Sequence, residues 1–227
     1  MKTAIRIFPF LFVLFFFGTS ASHAGKPFEG IISYKISYPD SKFTESQLAM
    51  FPKLLTVTIK GSKARAEIAV GGGSQAEIVD YGDKSKISLI NTMGQKYAIK
   101  QTADELAKEQ EKEPKGTVEL NADTKTIAGY TCKKATVTVD EDGTKTVYEV
   151  YYTPELGGKE VNFDKGMYKD IDGVMLEFSQ ITPQQINMTF TATSVEKKSV
   201  SAKDFEIPSD YTLTTMEELK NKMGGGE

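Results

Sequence analysis

Short runs in which apolar and polar residues alternate constrain this chain more than any other feature. Residues 28–38 (FEGIISYKISY) place Ile32, Tyr34, Ile36 and Tyr38 on one side and Ser33, Lys35 and Ser37 on the other. A period of two is the pattern of a half-buried antiparallel strand. Runs that read as strands recur at 54–60, 64–70, 76–81, 86–91 and 96–100, punctuated by Gly61-Ser62, Gly71-Gly72-Gly73 and Thr92-Met93-Gly94. Residues 130–139 and 145–153 flank the turn Asp140-Glu141-Asp142-Gly143, and 173–181 and 185–200 form another pair broken at Thr182-Pro183.

Three stretches read differently. Residues 102–112 (TADELAKEQEK) carry a Thr102 cap with Glu105 three residues on and Pro114 beyond, which predicts a polar helix. Residues 46–51 predict a short helix stopped by Pro52, and 215–223 a closing helix. Strands and helices do not alternate regularly, which argues against a parallel βαβ architecture. The expected fold is mainly β (α+β): a curved antiparallel sheet or half-barrel of about ten strands with two or three covering helices.

The first residues have the three parts of an export signal. Lys2 and Arg6 precede an apolar run at 7–17, followed by small residues up to Ser22-His23-Ala24. The run is shorter than the roughly 20 residues that span a bilayer, so cleavage between Ala24 and Gly25 is expected and stable membrane insertion is not. The expected organisation is a signal peptide at 1–24, one β-rich domain at 25–223 and a flexible tail at 224–227. The expected location is the periplasm or the extracellular space. Gly25, not Cys, would stand at the new N-terminus, so lipidation is not expected.

Removing residues 1–24 takes away the only histidine, His23, and leaves 26 basic against 31 acidic side chains, a net charge of about −5. Nucleic-acid binding needs a concentrated basic face, which this balance disfavours. A serine or cysteine nucleophile would lack a histidine base, and Cys132 has no second cysteine to pair with. Lys133 and Lys134 beside Cys132 could favour thiolate, but Lys133 would point to the opposite face of a strand. A buried structural thiol is the reading taken.

The acidic turns at Gly143 and Gly173 fail the calcium-loop pattern, because position 1 would be Thr138 or Tyr168. Zinc lacks histidine and paired cysteine. The glycines at 71–73 lack the Lys-Ser/Thr of a phosphate loop, and no two carboxylates stand out for glycoside hydrolysis. No cofactor, metal or catalytic residue is expected, and a hydrolase is the least favoured reading.

The aromatic and aliphatic residues of the strands are accounted for by an ordinary core. Alternatively, a strongly curved sheet leaves part of its concave face lined but unfilled, as a pocket for an apolar ligand. The concave-face candidates are Ile32, Tyr34, Ile36, Tyr148, Tyr152, Leu176, Phe178, Met188 and Phe190. A cavity below about 300 Å³ would be too small for a drug- or lipid-sized occupant.

The segment Ile127-Ala128-Gly129-Tyr130-Thr131-Cys132-Lys133-Lys134 resembles a strand of the family called domain of unknown function 4412, exported bacterial proteins. Phe28-Glu29-Gly30, the residues 172–177 and the close at 205–211 (FEIPSDY) support it. The resemblance implies an architecture similar to the outer-membrane lipoprotein carrier and receptor proteins. The helices at 102–112 and 215–223 would then be lids over an inner face that accepts acyl chains, an argument from fold to function. The expectation is a non-enzymatic carrier or chaperone for a lipid or other apolar small molecule. The alternative is an envelope structural or protein-interaction module with a solid core.

Overall fold

A computed structural model of the chain describes residues 27–39, 41–141, 143–182 and 185–224. The expected signal peptide, its cleavage point at Ala24 and Gly25, and the end of the tail lie outside the described residues.

The protein is mainly β. Its strands are β1 (Glu29–Ser37), β2 (Leu54–Lys60), β3 (Lys63–Val70), β4 (Gly73–Asp80), β5 (Ser85–Thr92), β6 (Gln95–Gln101), β7 (Gly116–Ile127), β8 (Tyr130–Glu141), β9 (Thr144–Thr153), β10 (Val174–Ile181), β11 (Asn187–Lys197) and β12 (Thr212–Leu213). They form one sheet in the order β12-β6-β5-β4-β3-β2-β1-β11-β10-β9-β8-β7. The two-residue β12 runs parallel to β6 and every other pairing is antiparallel. The sheet is open, with β12 and β7 at its edges.

Among the described residues, three helices accompany it: α1 (Glu45–Leu48), α2 (Ala103–Gln110) and α3 (Met216–Gly224). Thr102 caps α2 through a reciprocal capping box with Glu105, the arrangement its sequence predicts. Leu106 is the buried contact of this otherwise polar helix.

Both faces of the sheet are covered, each by a different piece of chain. On one face, Ala76, Ile78, Leu89 and Ala98 pack under Val200 and Phe205, with Ile207 and Tyr211 against them. This cover is the segment that follows β11. Lys60 fastens its start by donating to the Val200 carbonyl (2.6 Å) and to Glu29 Oε1 (2.8 Å). Glu29 Oε1 also accepts the Val200 amide at 2.8 Å. The Lys60 and Val200 hydrogen bonds to Glu29 hold its carboxyl below the usual carboxylate range.

On the other face, the chain leaves β9 at Thr153 and returns at Val174, and this excursion forms a roof. It contains three single 3-10 turns, Pro154–Leu156, Lys159–Asn162 and Gly166–Tyr168. Leu156, Tyr168 and Ile171 are its apolar anchors, all buried. Asn162 ties the roof together from inside, donating through Nδ2 to the carbonyls of Ile171 (2.9 Å) and Gly173 (2.8 Å). At the return, a Cβ on Gly173 would stand 2.6 Å from the Thr153 carbonyl oxygen, so only glycine lets the two legs of the roof meet this closely.

The helices do not have the part that the lipoprotein-carrier comparison implies. Neither α2 nor α3 covers the space beneath the roof; the 154–173 excursion does. α2 touches that roof at its end, where Gln110 Nε2 donates to the Phe163 carbonyl at 2.8 Å. Among the described residues, no helix is long and apolar enough to cross a membrane.

Candidate functional site

The site is built from one face of consecutive strands. Register places Tyr34 opposite Leu55, Leu55 opposite Ile68 and Ile68 opposite Gln75. One step along the strands, Val57 faces Ala66 and Ala66 faces Glu77. Directly opposed residues share a face, so the alternation in β1 to β4 sends one set of side chains to the same side. β11 and β10 continue it with Phe190 opposite Phe178.

Between this face and the roof lies a cavity of about 330 Å³. Its wall reaches from β4 across β3, β2, β1 and β11 to β10. Side chains from all six of these strands border the one space. The sheet therefore curls around the space, as a half-barrel does.

Most of the wall is apolar. Leu55, Val57, Ile59, Ile68 and Val79 line the sheet side, and Tyr34, Phe178 and Phe190 form an aromatic end. Phe178 stacks on Phe190 at 4.9 Å and 10°, and Tyr34 meets Phe178 edge-on at 6.1 Å. Tyr34 donates its hydroxyl to the Met175 carbonyl at 3.0 Å, and burial pushes its pKa up, so it is a neutral wall. Behind this end Tyr168 packs from the roof, edge-on to Phe178 at 6.2 Å and to Tyr148 at 6.3 Å, with its hydroxyl donated to the Ser179 carbonyl.

The opposite end is polar. Asp164 and Lys165 come down from the roof, and Glu77 comes up from β4. Lys165 Nζ donates to Asp164 Oδ2 at 3.3 Å, and Lys86 Nζ lies 3.9 Å from Glu77 Oε1. Burial alone would pull the Lys165 ammonium down, but Asp164 and Glu77 outweigh it and hold its pKa above the ordinary value. Glu113 nearby is pushed up by burial. A second, more polar cleft of about 580 Å³ adjoins the cavity, sharing Ile59, Tyr81 and Val161 with it and bordered by Gly61, Gly82, Gly157 and Gly158.

The structure distributes the sequence-derived candidates over two places. Tyr34, Phe178 and Phe190 line the cavity. Ile32, Ile36 and Leu176 sit in the same apolar cluster fully packed, with Met188 against it, and none of these four borders the open space. Tyr152 and Tyr148 belong to a neighbouring cluster with Tyr168 and Met175. Sequence reasoning passed over the β2 and β3 residues Leu55, Val57 and Ile68, although their alternation carried the signal. It also passed over Asn162, Asp164 and Lys165, which lie in a stretch without any period.

Cys132 is buried in the same apolar cluster, and burial pushes its thiol pKa up to about 11. In the folded protein at pH 8 it is expected to resist alkylating reagents, and to label within minutes in denaturant. Rapid labelling of the native protein, followed by mass spectrometry, would contradict this burial. Gly143 N–H donates to Asp140 Oδ1 at 3.0 Å, a turn-closing bond. Among the described residues, no three acidic, histidine or cysteine side chains gather as a metal-ligand set.

Fold and site together define a class: an open, curled β-sheet domain with an apolar cavity under a non-helical roof. The chain belongs to the family described as N-glycanase peptide, N-terminal domain, whose model matches residues 76–220. A comparison with curated proteins finds no match.

This overturns the resemblance to domain of unknown function 4412. Three of the segments that carried it, 127–134, 172–177 and 205–211, lie inside the region that matches the glycanase family. Their residues have general structural duties. Ala128 and Gly129 turn the chain with φ of 48° and 86°, Gly173 permits a close approach, and Phe205 and Ile207 cover a face of the sheet. Such duties recur across β proteins and do not specify a family.

Proposed function

We propose that this chain is a non-catalytic, glycanase-associated binding domain that holds a small apolar ligand, such as an acyl chain, between its curled sheet and the 154–173 roof. The observation that carries the reading is the cavity of about 330 Å³ with a mostly apolar wall. It lies within the range of small-molecule pockets, near the lower limit of about 300 Å³, so it suits one chain or a compact ring system and not a whole phospholipid. The space is local. Elsewhere in the core Leu176, Ile171 and Val150 are completely buried, which supports a preserved gap and disfavours the alternative of a solidly packed interaction module.

The description of the family as an N-terminal domain of an N-glycanase supports a role beside a glycanase reaction. The carboxylates at the polar end support binding over catalysis, since Asp164 and Glu77 each have a lysine partner. Export to the periplasm or the extracellular space remains part of the proposal, on the composition of residues 1–24.

Native mass spectrometry after gentle purification tests the reading. A retained mass of ligand size, or stoichiometric uptake of a hydrophobic dye that a competing apolar molecule displaces, is the expected result. A clean protein mass with no dye uptake would refute it.

A further inference from the structure

Apolar side chains left in water gather at one end of the sheet. Register runs along that end through Thr92 opposite Gln95 and Gly73, Lys35 opposite Leu54, Ser37 opposite Thr189, and Ile181 opposite Asn187. Among the described residues nine large apolar side chains are exposed. Five of them, Phe43, Met50, Leu54, Met93 and Ile181, stand on the connections or strand ends there. The turns at the other end, 61–62, 81–84 and 128–129, carry none of the nine. Turns are ordinarily built from Gly, Pro, Asn, Asp and Ser, so folding alone does not account for the asymmetry.

Two local features point the same way. Met93 and Gly94 make the two-residue turn between β5 and β6, with φ of 49° and 80°, a conformation that suits Asn-Gly. A methionine stands there instead, 93 % exposed. The connection from β1 to β2 is braced from inside. Phe51 meets Phe43 at 4.9 Å and Tyr38 at 5.2 Å, and Tyr38 donates its hydroxyl to the Pro52 carbonyl at 2.5 Å. Thr44 adds a capping box on α1. This braced loop nevertheless holds Met50 and Leu54 outward, 77 % and 64 % exposed.

We infer that this end of the sheet docks reversibly on the surface of a lipid bilayer, with these five side chains entering the boundary between headgroups and acyl chains. Large apolar groups presented together mark a protein or a membrane contact. Here they stand on three separate connections, as tips and not as one smooth patch. A fluid bilayer accepts each tip on its own, whereas a protein partner would need a socket matched to all of them. Lys42 and Lys53, both exposed, flank Phe43 and Leu54. Their stems lie along apolar surface while their ammonium groups stay among the headgroups. The attachment is shallow, because it rests on a few side chains and no buried backbone.

The test is sedimentation of the purified protein with vesicles of mixed phosphatidylcholine and phosphatidylglycerol. The unaltered protein is expected to sediment with them. Met50→Asp and Met93→Asp are each expected to weaken this at least tenfold, since taking one methionine side chain out of water is worth roughly that much. Both positions are exposed, so the unfolding midpoint should not change. Leu120→Asp is the control: Leu120 is 71 % exposed but lies within β7, away from this end, and its loss should leave vesicle binding as it was. No binding by the unaltered protein, or an equal loss in Leu120→Asp, would overturn the inference. So would a dimer in solution that Met50→Asp and Met93→Asp abolish without any vesicle binding, since it would assign these residues to a second copy. The inference does not rest on the cavity: a retained ligand without vesicle binding would sink it and leave the cavity reading standing.

Discussion

Tyr168→Ala is expected to lower the unfolding free energy by about 3–5 kcal/mol, the range for truncating a fully buried large aromatic. Tyr168 is 2 % exposed and stands where the roof meets the sheet. Its ring touches Tyr148 and Phe178 edge-on, and its hydroxyl donates to the Ser179 carbonyl. Alanine would remove the ring, open a void beside the existing cavity and leave that carbonyl without its donor. Nothing nearby can collapse into the gap, because Ile171 and Val150 are already completely buried. Denaturant unfolding followed by circular dichroism checks this. A Tyr168→Phe variant separates the contributions and should lose only about 1 kcal/mol, the net worth of one hydrogen bond to a part-buried carbonyl. A loss below about 1 kcal/mol for the alanine variant would mean that the roof is not anchored there.

Asn162→Leu is expected to cost about 2–4 kcal/mol, although leucine has a similar size and the site is buried. The reason lies in two carbonyls, those of Ile171 and Gly173, which both accept from Asn162 Nδ2. An apolar replacement removes a shared donor, and each buried acceptor left unsatisfied costs about 1–3 kcal/mol. Unlike Tyr168, Asn162 also lines the cavity. The same variant is therefore expected to weaken ligand binding at least tenfold, as the turn that carries Asp164 loses its anchor. Parallel unfolding and binding measurements on one preparation check both effects. Unchanged stability with unchanged binding would show that the roof is held in place by its apolar anchors alone.

The strands that were legible in the sequence are those with one buried and one wet face. In β1, Ile32, Tyr34 and Ile36 are buried while Lys35 and Ser37 face water, and that contrast is what alternation reports. β7 has no such contrast. It is a twelve-residue edge strand, exposed along nearly its whole length and irregular in register between Leu120 and Thr124, so it left no pattern to read. β12 is two residues long and pairs through its backbone with β6, which no side-chain pattern announces.

The roof was hidden for a different reason. Its three 3-10 turns are too short for helical periodicity, and it is held by scattered anchors, Leu156, Asn162, Tyr168 and Ile171, at irregular spacing. Half of the site was therefore readable as a curved apolar face, and the half that closes it was not. The lid role of α2 and α3 came from the likeness to lipoprotein carriers and not from any residue of these two helices. The sheet-side residues were a matter of register. Tyr34 was identified from its own strand, whereas Val57 and Ala66 share its face only through the pairing of β1 with β2 and β2 with β3.

Isothermal titration of decanol into the purified protein and into an Ala66→Trp variant tests the binding cavity most directly. Ala66 lines the cavity from the middle of β3, opposite Val57 and Glu77, so a tryptophan there fills the space from the sheet side without touching the roof anchors. Saturable one-to-one binding to the unaltered protein is expected, with at least a tenfold loss in the variant at an unfolding midpoint that changes little. Equal binding by the two proteins, or heat from neither, would contradict a ligand held between the curled sheet and the 154–173 roof.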